Sequence, residues 1–270
     1  MEQFAASLPS WWRAASPAEQ LDLTLAAGLM GSMVTAAFVL LAGIQAPYGR
    51  YSSASWGLLM NGKLAWVLQE LPAFAIPVSF FVALQPSEQT SSLPNRLLLL
   101  ALTSHYFNRT FIFPMRIRGG KPTPVTVFLM AIAFCIVNGW IQARALTMFN
   151  TYSAAWLTDP RFVFGLALFV VGMAINIQAD TILMNLRKPG ETGYKIPRGG
   201  LFDLVSGANF FGECIEWTGF ALACWNFQAT AFAVSVWCNI GPRAVQHHRW
   251  YKSKFEDYPK QRKALIPFLL

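Results

Sequence analysis

Polar residues recur at helical spacing inside otherwise apolar stretches of this chain. Asn176, Asp180 and Arg187 are separated by four and seven positions, Asn209, Glu213 and Glu216 by four and three, and Arg243, His247 and Tyr251 by four and four. On an α-helix such spacings place side chains on one face. Tyr106 and Arg109 form a shorter pair, and Gln69 and Glu70 stand just before Pro72. An ionisable side chain facing lipid at the bilayer centre costs at least ~2.5 kcal/mol, so such residues turn inward and mark a site or pathway. Interhelical hydrogen bonding is the plainer use of any one of them. Five helices presenting polar stripes at similar depth point instead to a polar cavity open to the cytosol.

The segment from Arg187 to Gly200 adds a binding chemistry to that cavity. It reads RKPGETGYKIPRGG and combines four cations with four glycines. Glycine lets backbone approach an anion closely and the cations offset phosphate charge, so a phosphate-bearing cofactor arriving from the cytosol would meet this loop. Neither G-x-G-x-x-G nor a Walker sequence occurs, so a nucleotide would be held without a Rossmann or P-loop unit.

The elements that carry these residues follow from composition. Of 270 residues, 54% are hydrophobic and only 13% charged, where soluble domains carry about 25% charged residues. The apolar residues fall into seven runs, near 21–41, 64–82, 97–113, 125–143, 162–183, 202–225 and 229–247, each long enough to cross ~30 Å of hydrocarbon as a helix. An all-α, polytopic membrane protein with seven transmembrane helices in one bundle is expected. The net charge of +8 is explained by topology: sixteen of the 21 Lys and Arg residues fall in the first, third and fifth connections and the C-terminal tail, and four on the opposite side. This asymmetry places the C-terminus in the cytosol by the positive-inside rule. On that orientation Glu70 lies about 9 Å and Glu213 about 18 Å from the cytosolic ends of their spans.

Other signals carry less. No cleavable signal peptide is expected at the start, since Trp11, Trp12 and Asp22 precede or enter the first apolar run without a basic region or a small-residue cleavage site. Cys135, Cys214, Cys224 and Cys238 lie in apolar runs without C-x-x-C spacing and read as small core residues, so neither a disulfide framework nor a metal site is expected. The glycosylation pattern Asn108-Arg109-Thr110 lies within a span, out of reach of the modifying machinery.

Longer motifs give a resemblance. Residues 172–217, GMAINIQADTILMNLRKPGETGYKIPRGGLFDLVSGANFFGECIEW, closely resemble the steroid 5α-reductases, as do FEDYPKQRKALIPF at 255–268, QELP at 69–72 and HYFNRTF at 105–111. The resemblance covers nearly the whole chain. It implies an NADPH-dependent oxidoreductase that reduces the carbon-carbon double bond of a 3-oxo-Δ4 steroid, in the endoplasmic reticulum membrane or a bacterial inner membrane. It further implies that Asn176, Asp180, Arg187, Tyr194, Asn209, Arg243, His247 and Tyr251 line the NADPH site with Glu213 nearby, and that Glu70 and Tyr106 hold the steroid ketone. On this reading residues 1–124 mainly bind steroid and residues 125–270 mainly bind NADPH within a single domain. Gln246, Lys195 and the pair Gln178-Ala179 depart from the family pattern without touching the ketone contacts.

The chemistry fits the residue types. Hydride must reach C5, the β-carbon of the enone, while charge builds on the C3 oxygen, and a tyrosine hydroxyl supported by a carboxyl group in a dry pocket stabilises that charge. The C4 proton donor is open between water and a side chain. Two further readings stand beside this one. Polyprenol and trans-2-enoyl-CoA reductases share the C-terminal half, whereas the QELP and HYFNRTF stretches favour a steroid. A seven-span receptor would need no polar stripe joined to a cationic loop, and a transporter should show repeated halves.

Overall fold

The computed structural model describes residues 9–47, 49–83, 87–187, 191 and 193–270. Among them run seven helices of fifteen residues or more: α1 Pro17–Leu41, α2 Gly62–Ala83, α3 Leu93–Phe107, α4 Val125–Arg144, α5 Pro160–Asn185, α6 Ala208–Cys224 and α7 Phe227–Lys254. Each expected run falls on one of them. Helix α3 continues through a π-helical turn, Asn108–Ile112, into Phe113–Arg116, and α4 runs on into a second π turn, Ala145–Phe149. Local sequence sets the starts. Pro17 and Pro160 open α1 and α5 behind the capping side chains of Ser16 and Asp159, and Asn226 caps α7 through the Ala229 N–H.

The beginning of α6 differs from the sequence reading. Gly200–Asp203 forms a 3₁₀ turn and Val205 pairs with Lys263 of the C-terminal tail in an isolated parallel bridge, so α6 starts at Ala208 rather than near 202. Glu213 therefore lies about 8 Å from the start of its helix rather than 18 Å. Among the described residues four stretches are long and apolar enough to cross a membrane: Pro17–Leu41, Gly62–Ala83, Val125–Phe149 and Pro160–Asn185. That makes this a helical membrane protein. The remaining helices fall short for separate reasons: α3 changes to a π turn at Asn108, α6 has 17 residues, and the second half of α7 is rich in cations and histidines.

Packing is closest between α5 and α6. Gly165 and Gly172 face Gly219 and Gly212, two pairs spaced by seven. A Cβ at Gly212 would stand 2.6 Å from Asn176 N, one at Gly219 would stand 2.5 Å from Gly165 O, and one at Gly172 would overlap Glu216 N. Small residues let the two backbones touch, as in membrane helix pairs generally. Helix α2, which runs unbroken through Pro72 and Pro77, packs on α4, where Gly139 admits the Pro72 carbonyl. Helix α1 packs on α7, and Gln246 of α7 donates to the Leu40 and Ile44 carbonyls at 2.8 and 2.9 Å, satisfying acceptors at the end of α1. At the other end of α1, Asp22 accepts from Arg144 at 2.9 Å. The core joins Leu98 and Leu102 of α3, Phe169 of α5, Trp217 and Phe220 of α6, and Phe232 of α7. Cys135, Cys214 and Cys224 are buried, whereas Cys238 is half-buried.

Candidate active site

The π turn in α3 determines where the site's first polar group points. One extra residue per turn breaks the regular ladder at Asn108–Ile112, a feature common at functional sites. Arg109 emerges from it and donates to Asp180 Oδ2 at 3.0 Å. Its guanidinium lies over the rings of Trp66 and Phe113, with 4.7 and 4.3 Å to the centroids, and Trp66 Nε1 donates to its carbonyl at 2.9 Å. The other oxygen of Asp180 accepts from Asn209 at 3.1 Å, and Asn176 donates to the Asn209 carbonyl at 2.9 Å. Thus Asn176, Asp180 and Asn209 converge because the α5–α6 glycine contacts bring their backbones together. Arg116 adds a bond to Thr181 at 2.7 Å.

A second group lies around Tyr106, buried on α3. Its hydroxyl oxygen accepts from Asn138 at 3.2 Å, and Asn138 in turn accepts from Gln142 at 3.3 Å. A tyrosine oxygen that accepts in this way keeps its own hydrogen available for donation. Gln69 donates to Glu70 at 3.2 Å, and the Cys135 thiol lies 4.0 Å from the other Glu70 oxygen. Among the described residues Glu70 and Tyr106 share no direct hydrogen bond. Asn138 occupies that role on the tyrosine. Glu213 connects the two groups, standing within electrostatic reach of Glu70, Tyr106 and Asp180.

A third group gathers where the first connection, the fifth connection and the end of α7 meet. The Arg50 guanidinium lies over the rings of Tyr194, Trp250 and Tyr251, at 5.2, 4.1 and 4.9 Å, and donates to the Tyr251 hydroxyl at 3.3 Å. Tyr51 stands edge-on to His247, Phe210 stands edge-on to the same ring, and Arg243 lies over Phe210. Burial pushes the Tyr51 hydroxyl above the usual tyrosine range, and the adjacent Arg50 charge offsets part of that rise. Arg50 Nη1 and the Tyr51 hydroxyl are buried without a hydrogen-bond partner among the described residues. Two orphaned donors on one wall match the needs of a phosphate group.

Arg187 stands apart. Helix α5 ends at Asn185, so Arg187 leaves the stripe begun by Asn176 and Asp180 and is exposed. Lys195 pairs with Glu191 at 2.5 Å. Lys188, Pro189, Gly190 and Thr192 of the cationic loop lie outside the described residues. Two apolar grooves of about 460 and 430 Å³ share Leu100, Ser104, Met173 and Ile177 on α3 and α5, and neither includes Glu70 or Tyr106.

Sequence reasoning passed over two participants of the site and one contact beside it. Arg50 was legible only as a topogenic charge and Asn138 carried no motif. Glu216, though on the α6 stripe, was not matched with the His105 that faces it at 2.7 Å.

The chain matches, over residues 121–270, a family model described as 3-oxo-5-alpha-steroid 4-dehydrogenase. It is 49% identical over 254 residues to 3-oxo-5-alpha-steroid 4-dehydrogenase 1 of Bos taurus, covering 94% of this chain and 99% of that one. Identity is 53% to the type 1 protein of Mus musculus, covering 90% and 94%. It is 50% to 3-oxo-5-alpha-steroid 4-dehydrogenase 2 of Rattus norvegicus, covering 86% and 91%. With likeness of this extent on chain and relatives alike, the protein belongs to the 3-oxo-5-alpha-steroid 4-dehydrogenase family.

Proposed function

We propose that this protein uses NADPH to reduce the C4–C5 double bond of a 3-oxo-Δ4 steroid to the 5α-reduced ketone. Besides the family, the observation that carries the reading is the Tyr106 hydroxyl: buried, supplied with a donor by Asn138, and so left with a hydrogen to give. Bound NADPH supplies the hydride for C5. Tyr106 donates to the C3 oxygen and holds the charge that develops there, an effect enlarged by burial beside the Trp217 ring. Glu70, steadied by Gln69, acts on that donor electrostatically, while Asn138 holds it by a hydrogen bond. Water or a side chain then delivers the proton to C4.

The cofactor's residues divide by chemistry. Arg50, Tyr51, Arg187, Tyr194, Arg243, His247 and Tyr251 supply cations and hydroxyls suited to its phosphates and sugar hydroxyls, and the orphaned donors of Arg50 and Tyr51 support this assignment. Asn176, Asp180, Asn209 and Glu213 supply the amide and carboxylate groups suited to its polar nicotinamide end. All seven helices cross the membrane with the C-terminus cytosolic, the first half binding mainly steroid and the second mainly cofactor. The steroid reaches the apolar pocket laterally from the bilayer.

The test is NADPH consumption by purified protein with progesterone, a polyprenol or an enoyl-CoA, with the product identified. Oxidation with progesterone and formation of the 5α-reduced ketone support the reading. Oxidation only with a polyprenol or an enoyl-CoA moves the protein to a neighbouring reductase class.

A further inference from the structure

His105 and Glu216 form a buried pair that the reaction scheme leaves unused. Their side chains meet at 2.7 Å between Nδ1 and Oε1, with relative exposures of 3% and 0%. Desolvating an imidazole and a carboxyl group is unfavourable, and a well-packed apolar pair often holds helices together as well or better. Mere adhesion between α3 and α6 is therefore a weak explanation for the pair.

Its surroundings suggest a geometric one. His105 precedes Tyr106 on α3, and Glu216 precedes Trp217 on α6. The Trp217 ring stands against both His105 and Tyr106, at 4.5 and 5.8 Å, and the His105 ring stands edge-on to Tyr106 at 5.1 Å. Two consecutive residues of one helix thus interlock with two of the other. About 6 Å further along α3, Arg109 reaches Asp180, which Asn209 of α6 also holds. Tyr106 lies between these two polar rungs. Helix α6 is itself fixed in depth, because Gly172 of α5 is pressed against the Glu216 backbone. Glu70 from α2, Arg109 from α3 and Glu213 from α6 complete the charged surroundings of the pair.

We propose that the His105–Glu216 hydrogen bond is a positioning device that sets the Tyr106 hydroxyl against α6, and so sets the oxygen donor against the carbon that receives hydride. It rests on the function proposed above. Neither residue touches the substrate. Both act through Tyr106 and Trp217, and by geometry rather than by charge.

Two conservative variants separate those roles. Glu216→Gln keeps the side-chain length and a hydrogen bond to His105 while removing the charge. Glu216→Asp keeps the charge and withdraws the carboxylate by one methylene. A misplacement of about 1 Å can cost on the order of 10²-fold in rate. The expected result is that Gln retains most of the parent's turnover while Asp loses about 10²-fold. NADPH affinity, read from quenching of tryptophan fluorescence, stays unchanged in both. The deuterium isotope effect from NADPH labelled at the transferred hydrogen rises in Asp as hydride transfer becomes limiting. Turnover is expressed per folded protein, with each melting temperature measured alongside. An active Asp variant beside an inactive Gln variant, equal turnover in the two, or a loss confined to NADPH affinity overturns the proposal. A parent protein inactive on every steroid refutes the proposed function instead, and is distinguishable because it precedes any comparison of variants.

Discussion

Arg109 and Asp180 meet at 3.0 Å across α3 and α5, each with little side-chain exposure. Removing one partner of a buried pair leaves an uncompensated charge and typically costs about 3–5 kcal/mol. Arg109→Leu should therefore lower the thermal midpoint of the micelle-solubilised protein strongly. Adding Asp180→Asn should recover part of that loss, since the amide removes the stranded charge. Strictly additive losses in the two-residue cycle would show that the pair is not coupled.

Glycine contacts between α5 and α6 make a second prediction. A methyl at Gly172 would overlap Glu216 N and stand 2.6 Å from the Gly212 carbonyl, and neither is backbone that can swing aside. Gly172→Ala should destabilise the protein by about 1–3 kcal/mol, the usual range for overpacking, and weaken NADPH binding as Asn176 and Asn209 separate. Gly28 has nothing within 4 Å of its would-be Cβ. Gly28→Ala should be neutral or stabilising by up to about 1 kcal/mol. Paired thermal unfolding curves check both.

These cases show what can be read from sequence and what cannot. The lengths of the apolar runs located the helices, and helical spacing the faces bearing Asn176, Asp180, Asn209 and Glu213, because apolar run length and period are local properties. Which faces meet is not local. The glycine pairs of α5 and α6 lie dozens of residues apart, and the opposition of His105 and Glu216 appears only once those backbones touch. The π turn at Asn108–Ile112 re-aims Arg109 by inserting one residue into the ladder, and no residue type announces it. The apolar run starts before α6 because Phe202 and Val205 are apolar and buried without being α-helical, held by a 3₁₀ turn and a bridge to Lys263.

Cofactor contacts to nonreacting atoms are made equally in the ground and transition states, so their loss raises KM. Arg187→Ala and Arg50→Ala should each raise the KM for NADPH with little change in kcat. For Arg50, some loss of stability is also expected, since its guanidinium lies over three rings. Unchanged NADPH affinity in folded Arg187→Ala protein would leave that arginine a topogenic charge only.

Orientation is testable independently of activity. The basic residues predict that a reporter fused after Leu270 is cytosolic and one fused before Met1 is not. Both ends on one side would remove a span and break the common depth of the polar stripes.

Turnover of Tyr106→Phe measures the central claim, that this hydroxyl stabilises charge on the C3 oxygen. Loss of one donor to a developing oxyanion is worth about 10²- to 10³-fold, or roughly 3–4 kcal/mol. The account predicts a fall of that size in kcat, NADPH affinity close to the parent's, and an unfolding midpoint showing that the variant is folded. Asn138→Leu should cause a smaller fall, since it removes the partner that orients the hydroxyl and leaves the hydroxyl itself. Near-normal turnover in folded Tyr106→Phe protein would contradict the account.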